Sequence, residues 1–134
     1  VLGGTLVAML TGVGLARLLG LAVPLQGALG LKSATAPVAI ALAAAVGADP
    51  PVVAGIVVAS ALLGTVVGPV LLSRLGIHSP LARGLALGTI SSGQGTAQAL
   101  REGDLTGAAA SVAMALAALA VALLAMPLGA LLRF

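Results

Sequence analysis

Long apolar runs dominate the chain, and what distinguishes them is where they are interrupted. Residues 1–19 are almost wholly apolar and carry Arg17 near their end. The stretch LAVPLQGALGLKSATAP, residues 21–37, breaks the run with Pro24, Gly27, Gly30, Lys32 and Pro37. PVAIALAAAV, residues 37–46, is apolar again. At about 1.5 Å per residue it is too short to cross a ~30 Å hydrocarbon layer alone. GADPP, residues 47–51, is a turn, because proline cannot continue a helix and aspartate favours turns. Residues 51–72 are long enough to span with some tilt, and SRLGIHSPLAR, residues 73–83, is a polar loop. A second interrupted stretch, RGLALGTISSGQGTAQALRE, covers residues 83–102. Residues 105–132 form a last long apolar helix with Pro127 near its end. The pattern predicts an all-α, polytopic transmembrane protein. It reads as one transmembrane domain over residues 1–134 with two discontinuous, broken membrane segments.

Composition agrees with lipid as the main solvent. The chain is 60% hydrophobic and 7% charged, whereas a soluble domain carries roughly 25% charged residues. Cysteine is absent, which excludes disulfides and thiolate metal sites, and no metal-ligand spacing occurs elsewhere. Tryptophan and tyrosine are absent too, so interfacial anchoring falls to arginine. The net charge of +3 comes from scattered arginines without interleaved aromatics, which is no nucleic-acid surface. The first residues lack a basic leader and a cleavage signal, so they read as a membrane helix. The start at Val1 rather than Met reads as that of an internal piece.

Charge then orders the segments. If both interrupted regions cross once, Arg17, Arg74, Arg83 and Arg133 fall on one side, with Asp49, Arg101, Glu102 and Asp104 on the other. The positive-inside rule makes the loop at 73–83 cytoplasmic. This gives five crossings, in which the two interrupted regions run the same way and are no inverted pair. A re-entrant second region would instead separate Arg101 from Arg133 and blur the split.

Both interruptions fall near mid-depth. Arg83 to Gly93 is roughly 15 Å of helix, and Leu21 to Lys32 is similar. Irregular backbone at that depth is tolerated only against protein or a water-filled cavity. Paired Gly/Pro-interrupted segments are the sequence pointer to a transporter's substrate site, and helix N-termini exposed there suit an anion. Residues 91–96 place Ser91, Ser92, Gly93, Gln94, Gly95 and Thr96 together, and polar groups at depth are costly unless used. The pairs Gly84/Gly88 and Gly64/Gly68 fit close helix packing instead. Lys32 has two readings. It serves an anionic substrate as a point charge beside the helix that begins near Pro37, where Ser33 or Thr35 would cap; or it snorkels to an interface. His78 reads as a solvated loop residue rather than a proton relay. Asp104 reads as an N-cap and Glu102 as a solvated helix end. No carboxylate–histidine–serine arrangement and no nucleophile elbow is present, so no enzyme and no cofactor is expected.

Three stretches carry a resemblance: KSATAPVA at 32–39, GPVLLSRLGIHSPLARGLALGT at 68–89 and GTAQALREGD at 95–104. They resemble the LrgB family, bacterial inner-membrane proteins that include CidB and YohK and are called antiholin-like or murein-hydrolase export regulators. The resemblance runs through nearly the whole chain, as the C-terminal part of a longer family chain. It places the family motif on Lys32, Ser33, Thr35 and Pro37, and on Gly88, Thr89, Ser91, Gly93, Gly95 and Thr96. Ser92 stands where the family often has His, and Ala36 where Thr is common.

The resemblance implies a multi-pass inner-membrane location and two functions. One is transport of small monocarboxylates, by way of the related plastid glycolate/glycerate transporter and relatives linked to pyruvate uptake. The other is control of murein hydrolase activity and lysis through oligomerisation with a holin-like LrgA partner. The interrupted segments favour transport. The expected substrate-binding set is Lys32, Ser33, Thr35, Thr89, Ser91, Ser92, Gly93, Gln94, Gly95 and Thr96. The expected partners are the bilayer, a small anion, an LrgA-like protein and further copies of the chain.

Overall fold

The computed structural model describes residues 1–132, so Arg133, which the charge split counted, lies outside the described residues. The described residues form six helices: α1 Leu2–Leu18, α2 Val23–Gly30, α3 Ala36–Ala43, α4 Pro50–Arg74, α5 Pro80–Glu102 and α6 Asp104–Leu132. A 3-10 turn, Ala44–Val46, extends α3. The all-α expectation holds. The stretch at 21–37 is less broken than expected, since α2 lies inside it. Pro24 sits in the first turn of α2, where no N–H is required of it, and so it starts a helix rather than ending one.

Two helices, Pro50–Arg74 and Asp104–Leu131, are long and apolar enough to cross a membrane. Their outer faces expose large apolar side chains, among them Leu63, Val66, Leu119 and Leu123. Together with the low charge, these faces mark a membrane-associated protein.

The interrupted regions fold as hairpins. In the first, α2 runs back along α1, with Arg17 Nε donating to Gln26 Oε1 at 3.1 Å. The chain turns at residues 31–35, and α3 with its 3-10 turn folds back against α2. A methyl group at Gly27 would overlap the carbonyl oxygen of Val46, so the two arms touch near their base. In the second, α5 is two arms, 80–91 and 93–102, joined at Ser92, whose φ of 49° and ψ of −133° are not helical. A methyl group at Gly95 would overlap the Leu87 carbonyl oxygen, so these arms also lie side by side. Arg83 and Glu102, at the two ends of α5, form an ion pair.

That ion pair corrects two expectations. Residues 83–102 do not cross from one end of the molecule to the other, because both ends of the segment meet. Glu102 is not a free solvated end. The reason is the reversal at Ser92: one residue with positive φ turns a helix of membrane-crossing length into a loop that returns to its own side.

The long helices set the relation between the hairpins. The first half of α4 packs on the first hairpin, with Val53 and Val57 in one core with Ala39, Ala43 and Val46. Its second half packs on the second hairpin, where methyl groups at Gly64 and Gly68 would meet Ser91 and Leu87. α6 does the converse. Gly84 and Gly88 of α5 press on Thr106, Ala109 and Ala110 near its start, while Val121 and Ala125 join the core of the first hairpin. Both small-residue pairs are therefore packing positions, as expected. The hairpins enter from opposite ends of the molecule, and their tips lie beside Ser60 and Gly64, which flank the midpoint of α4. Contrary to the same-direction reading, they are antiparallel to each other.

Candidate binding site between the hairpin tips

The tips meet through one hydrogen bond: Ser92 Oγ donates to the Ala34 carbonyl oxygen at 3.1 Å. Beside it lies a cavity of about 310 Å³. Thr35, Ala36 and Pro37 line it from the first hairpin, Ser91, Ser92, Gly93 and Gln94 from the second, and Val57, Val58, Ala61 and Met114 from the long helices. Its volume equals that of about ten liquid waters, which is room for a small organic anion with part of its hydration.

Two helix N-termini open here. α3 starts at Ala36, and the second arm of α5 starts at Gly93. Thr35 occupies the N-cap position of α3, yet no side chain caps that helix. The expected capping by Ser33 or Thr35 is therefore not made, although Thr35 has the extended backbone of an ordinary N-cap residue. Uncapped N–H groups and the helix dipole place partial positive charge at both starts. Ser91 is 1% exposed, and neither its Oγ nor Gln94 Oε1 has a hydrogen-bond partner among the described residues. A buried polar group without a partner costs about 1–3 kcal/mol; both oxygens are enclosed by protein, Ser91 Oγ against Gly64 of α4, so each must turn to reach the cavity. No acidic side chain lines the cavity.

The structure gathers some of the expected residues here and disperses others. Thr35, Ser91, Ser92, Gly93 and Gln94 meet at the cavity. Thr96 faces into its hairpin, donating to the Ser92 carbonyl oxygen at 3.0 Å with its hydroxyl 3.9 Å from Met114 Sδ. Gly95 is the contact between the arms. Thr89 donates to the Leu85 carbonyl oxygen and packs on Gly4 of α1. Ser33 is 1% exposed and does not line the cavity, its hydroxyl also without a partner among the described residues. Lys32 lies outside the cavity. Its side chain follows α1 past Gly12 into a groove lined by Thr11, Leu15, Ala16, Leu19 and Leu29.

Sequence reasoning missed the Ala34 carbonyl, Ser60, whose Oγ donates to the Lys32 carbonyl oxygen at 3.2 Å, and Met114. Ser60 and Met114 sit inside apolar runs with nothing local to single them out. Only their distance from the start of each long helix, which matches the reach of a hairpin, could have done so. The groups at the other end of the molecule are better defined. Arg83 Nε donates to Glu102 Oε2 at 2.6 Å and Nη2 to Oε1 at 2.9 Å. Its remaining donors reach the carbonyl oxygens of Ile77 and Pro69 and the Ser73 hydroxyl.

Comparison with known proteins places these features in a family. YwbG of Bacillus subtilis is 36% identical over 116 residues, which is 87% of this chain and 52% of the relative. YxaC of the same organism is 38% identical over 122 residues, 88% of this chain and 53% of the relative. A Bacillus cereus protein named antiholin-like protein LrgB is 27% identical over 99 residues, 74% of this chain and 43% of the relative. The chain thus spans about half the length of these curated relatives. No solved structure matches it. Residues 1–131 match the LrgB-like family, and the chain, with its paired hairpins and uncapped helix starts, belongs to that family.

Proposed function

We propose that the chain is part of a multi-pass bacterial inner-membrane transporter for small monocarboxylates, of the glycolate, glycerate or pyruvate type. α1, α4 and α6 are the crossings in this reading, and the two hairpins are re-entrant segments from opposite faces. The observation that carries it is the cavity at the hairpin tips. Two helix N-termini converge there with the unpartnered hydroxyl of Ser91 and the amide of Gln94, and no carboxylate opposes them. Such an environment suits a compact anion. Each N-terminus contributes about 0.3–2 kcal/mol to holding a carboxylate, more as the site excludes water. Thr35, Ser91 and Gln94 supply hydrogen bonds to it, and Gly93 leaves room for it. The Gln94 amide, rotated by half a turn, offers Nε2 instead of Oε1. No chemical step on the substrate is part of this reading.

The Bacillus cereus relative is named antiholin-like, and with that word goes a second reading, in which the protein would control murein hydrolase activity and lysis by assembling with further copies and an LrgA-like partner. Uptake of labelled glycolate or pyruvate into proteoliposomes carrying the full-length protein separates the two. Transport predicts saturable uptake that Gly93→Leu abolishes. A lysis regulator predicts uptake no higher than in protein-free vesicles, and regulation that Gly93→Leu leaves untouched.

A further inference from the structure

We infer that the two hairpins are equivalent halves of an inverted repeat, and that Ser33 is a second substrate-binding hydroxyl, the counterpart of Ser91, used when the site opens toward the opposite end of the molecule. This rests on the carboxylate-transport reading above.

The equivalence is carried by packing. Each hairpin opens with a proline in the first turn of its first arm, Pro24 and Pro80. Each returns along itself and is followed by a long helix, α4 or α6. Each long helix packs first on the hairpin before it and then on the other one. The single hydrogen bond between the tips joins Ala34 to Ser92. Ser33 and Ser91 are the residues that precede these two. The two serines thus stand in the same relation to the contact, one on each hairpin.

They also share an unusual state. Both are 1% exposed, and neither hydroxyl has a partner among the described residues. Ser91 borders the cavity, and a turn of its side chain away from Gly64 would offer its hydroxyl to a bound anion. Ser33 lines no such cavity. A second arrangement accounts for it, with the roles of the hairpins exchanged. The tips would rock about the Ala34–Ser92 contact, the space beside Ser91 would close, and an equivalent space would open beside Ser33. Inverted repeats around a fixed mid-depth site use such an exchange to face each side in turn.

The test uses the full-length protein in oriented membrane vesicles, with any cysteine outside this cysteine-free chain replaced by serine. Ser91→Cys and Ser33→Cys are labelled separately with a membrane-impermeant thiol reagent from each face, with and without glycolate. The expected result is reaction of Ser91→Cys from one face and of Ser33→Cys from the other, each slowed about tenfold by saturating glycolate, which corresponds to about 1.4 kcal/mol of protection. Two results overturn the inference and leave the carboxylate reading standing. One is a Ser33→Cys that is inert from both faces while Ser91→Cys reacts and is protected. The other is reaction of both from the same face with protection at Ser91→Cys. Absence of glycolate protection at both positions overturns the carboxylate reading and this inference with it. If Ser33→Cys fails to fold, Ser33→Ala serves. Its exchange of glycolate should slow about tenfold while affinity measured from the Ser91 face stays within about twofold. Wild-type exchange by Ser33→Ala overturns the inference.

Discussion

Arg83 and Glu102, nineteen positions apart in one helical segment, face each other through two hydrogen bonds of 2.6 and 2.9 Å. The pair fastens the open end of the second hairpin. Arg83 also donates to the carbonyl oxygens of Pro69, near the end of α4, and of Ile77, in the loop after it, where a cation complements the helix dipole. Arg83→Ala should therefore cost about 3 kcal/mol and Glu102→Gln about 1 kcal/mol, because the glutamine keeps one acceptor and Arg83 keeps its carbonyls. Thermal unfolding of the purified protein in detergent checks this. Equal losses in the two variants would show that the carbonyl contacts add nothing.

Sidedness is open to cysteine labelling. With α5 folded back, Ser79→Cys and Arg101→Cys should react with an impermeant reagent from the same face, and Ala45→Cys from the opposite one. Arg74, Arg83 and Arg101 lie at the first of these ends and Arg17 at the other, so the end with the loop at 75–79 is expected to be cytoplasmic. Labelling of Ser79→Cys and Arg101→Cys from different faces would restore the crossing topology.

Gly93 and Gly95 should part company. A methyl group at Gly93 meets only Met114 Sδ, at 4.0 Å, whereas one at Gly95 overlaps the Leu87 carbonyl. Gly93→Ala is expected to fold normally and transport poorly, since it narrows the cavity. Gly95→Ala should lose roughly 1–3 kcal/mol of stability by forcing the arms apart. Transport and thermal stability measured on both variants decide the matter, and a fully active Gly93→Ala would move the substrate elsewhere.

Ser92 has a backbone conformation that suits glycine, with φ of 49°. Ser92→Gly and Ser92→Ala both lose the hydrogen bond to Ala34, worth about 0.5–1.5 kcal/mol. Only the glycine relieves the strain, so it should be the more stable of the two by about 1–3 kcal/mol. Equal melting midpoints would mean that position 92 is not strained.

Lys32 lies in the α1 groove, not at the cavity. Lys32→Ala should then leave carboxylate affinity within about twofold, and Lys32→Arg should substitute freely, as for a snorkelling side chain. A Lys32→Ala variant weakened tenfold to a hundredfold, the scale of about 1.4–2.8 kcal/mol, would return this ammonium to the site. Equilibrium binding on purified variants gives the answer.

The long helices α4 and α6 and the shorter α1 were legible because uninterrupted apolar runs leave few alternatives to helix in lipid. α2 was hidden because Pro24, Gly27 and Gly30 read as breaks, whereas Pro24 starts the helix and Gly27 admits the backbone of Val46. The fold-back of α5 was hidden for a different reason. Its 23 residues suffice to cross a membrane, and the turn falls on a serine beside two glycines that stay helical. The opposite charges of Arg83 and Glu102 at its ends were the available hint. At the site, the polar run at 91–96 marked the right place, but the run alone could not separate the residues facing the cavity from Gly95 and Thr96. That division depends on which side the second arm turns toward the first.

The contact between Ala34 and Ser92 has an electrical consequence. On the exchange inferred above, water reaches the tips from one face at a time, so the site lies electrically near one side and then near the other. A monovalent carboxylate passing that point without a compensating cation moves through nearly the whole potential, about 2.3 kcal/mol for each 100 mV. Its flux is therefore set by voltage as well as by concentration, and the direction of net movement in a polarised cell depends on what charge travels with it.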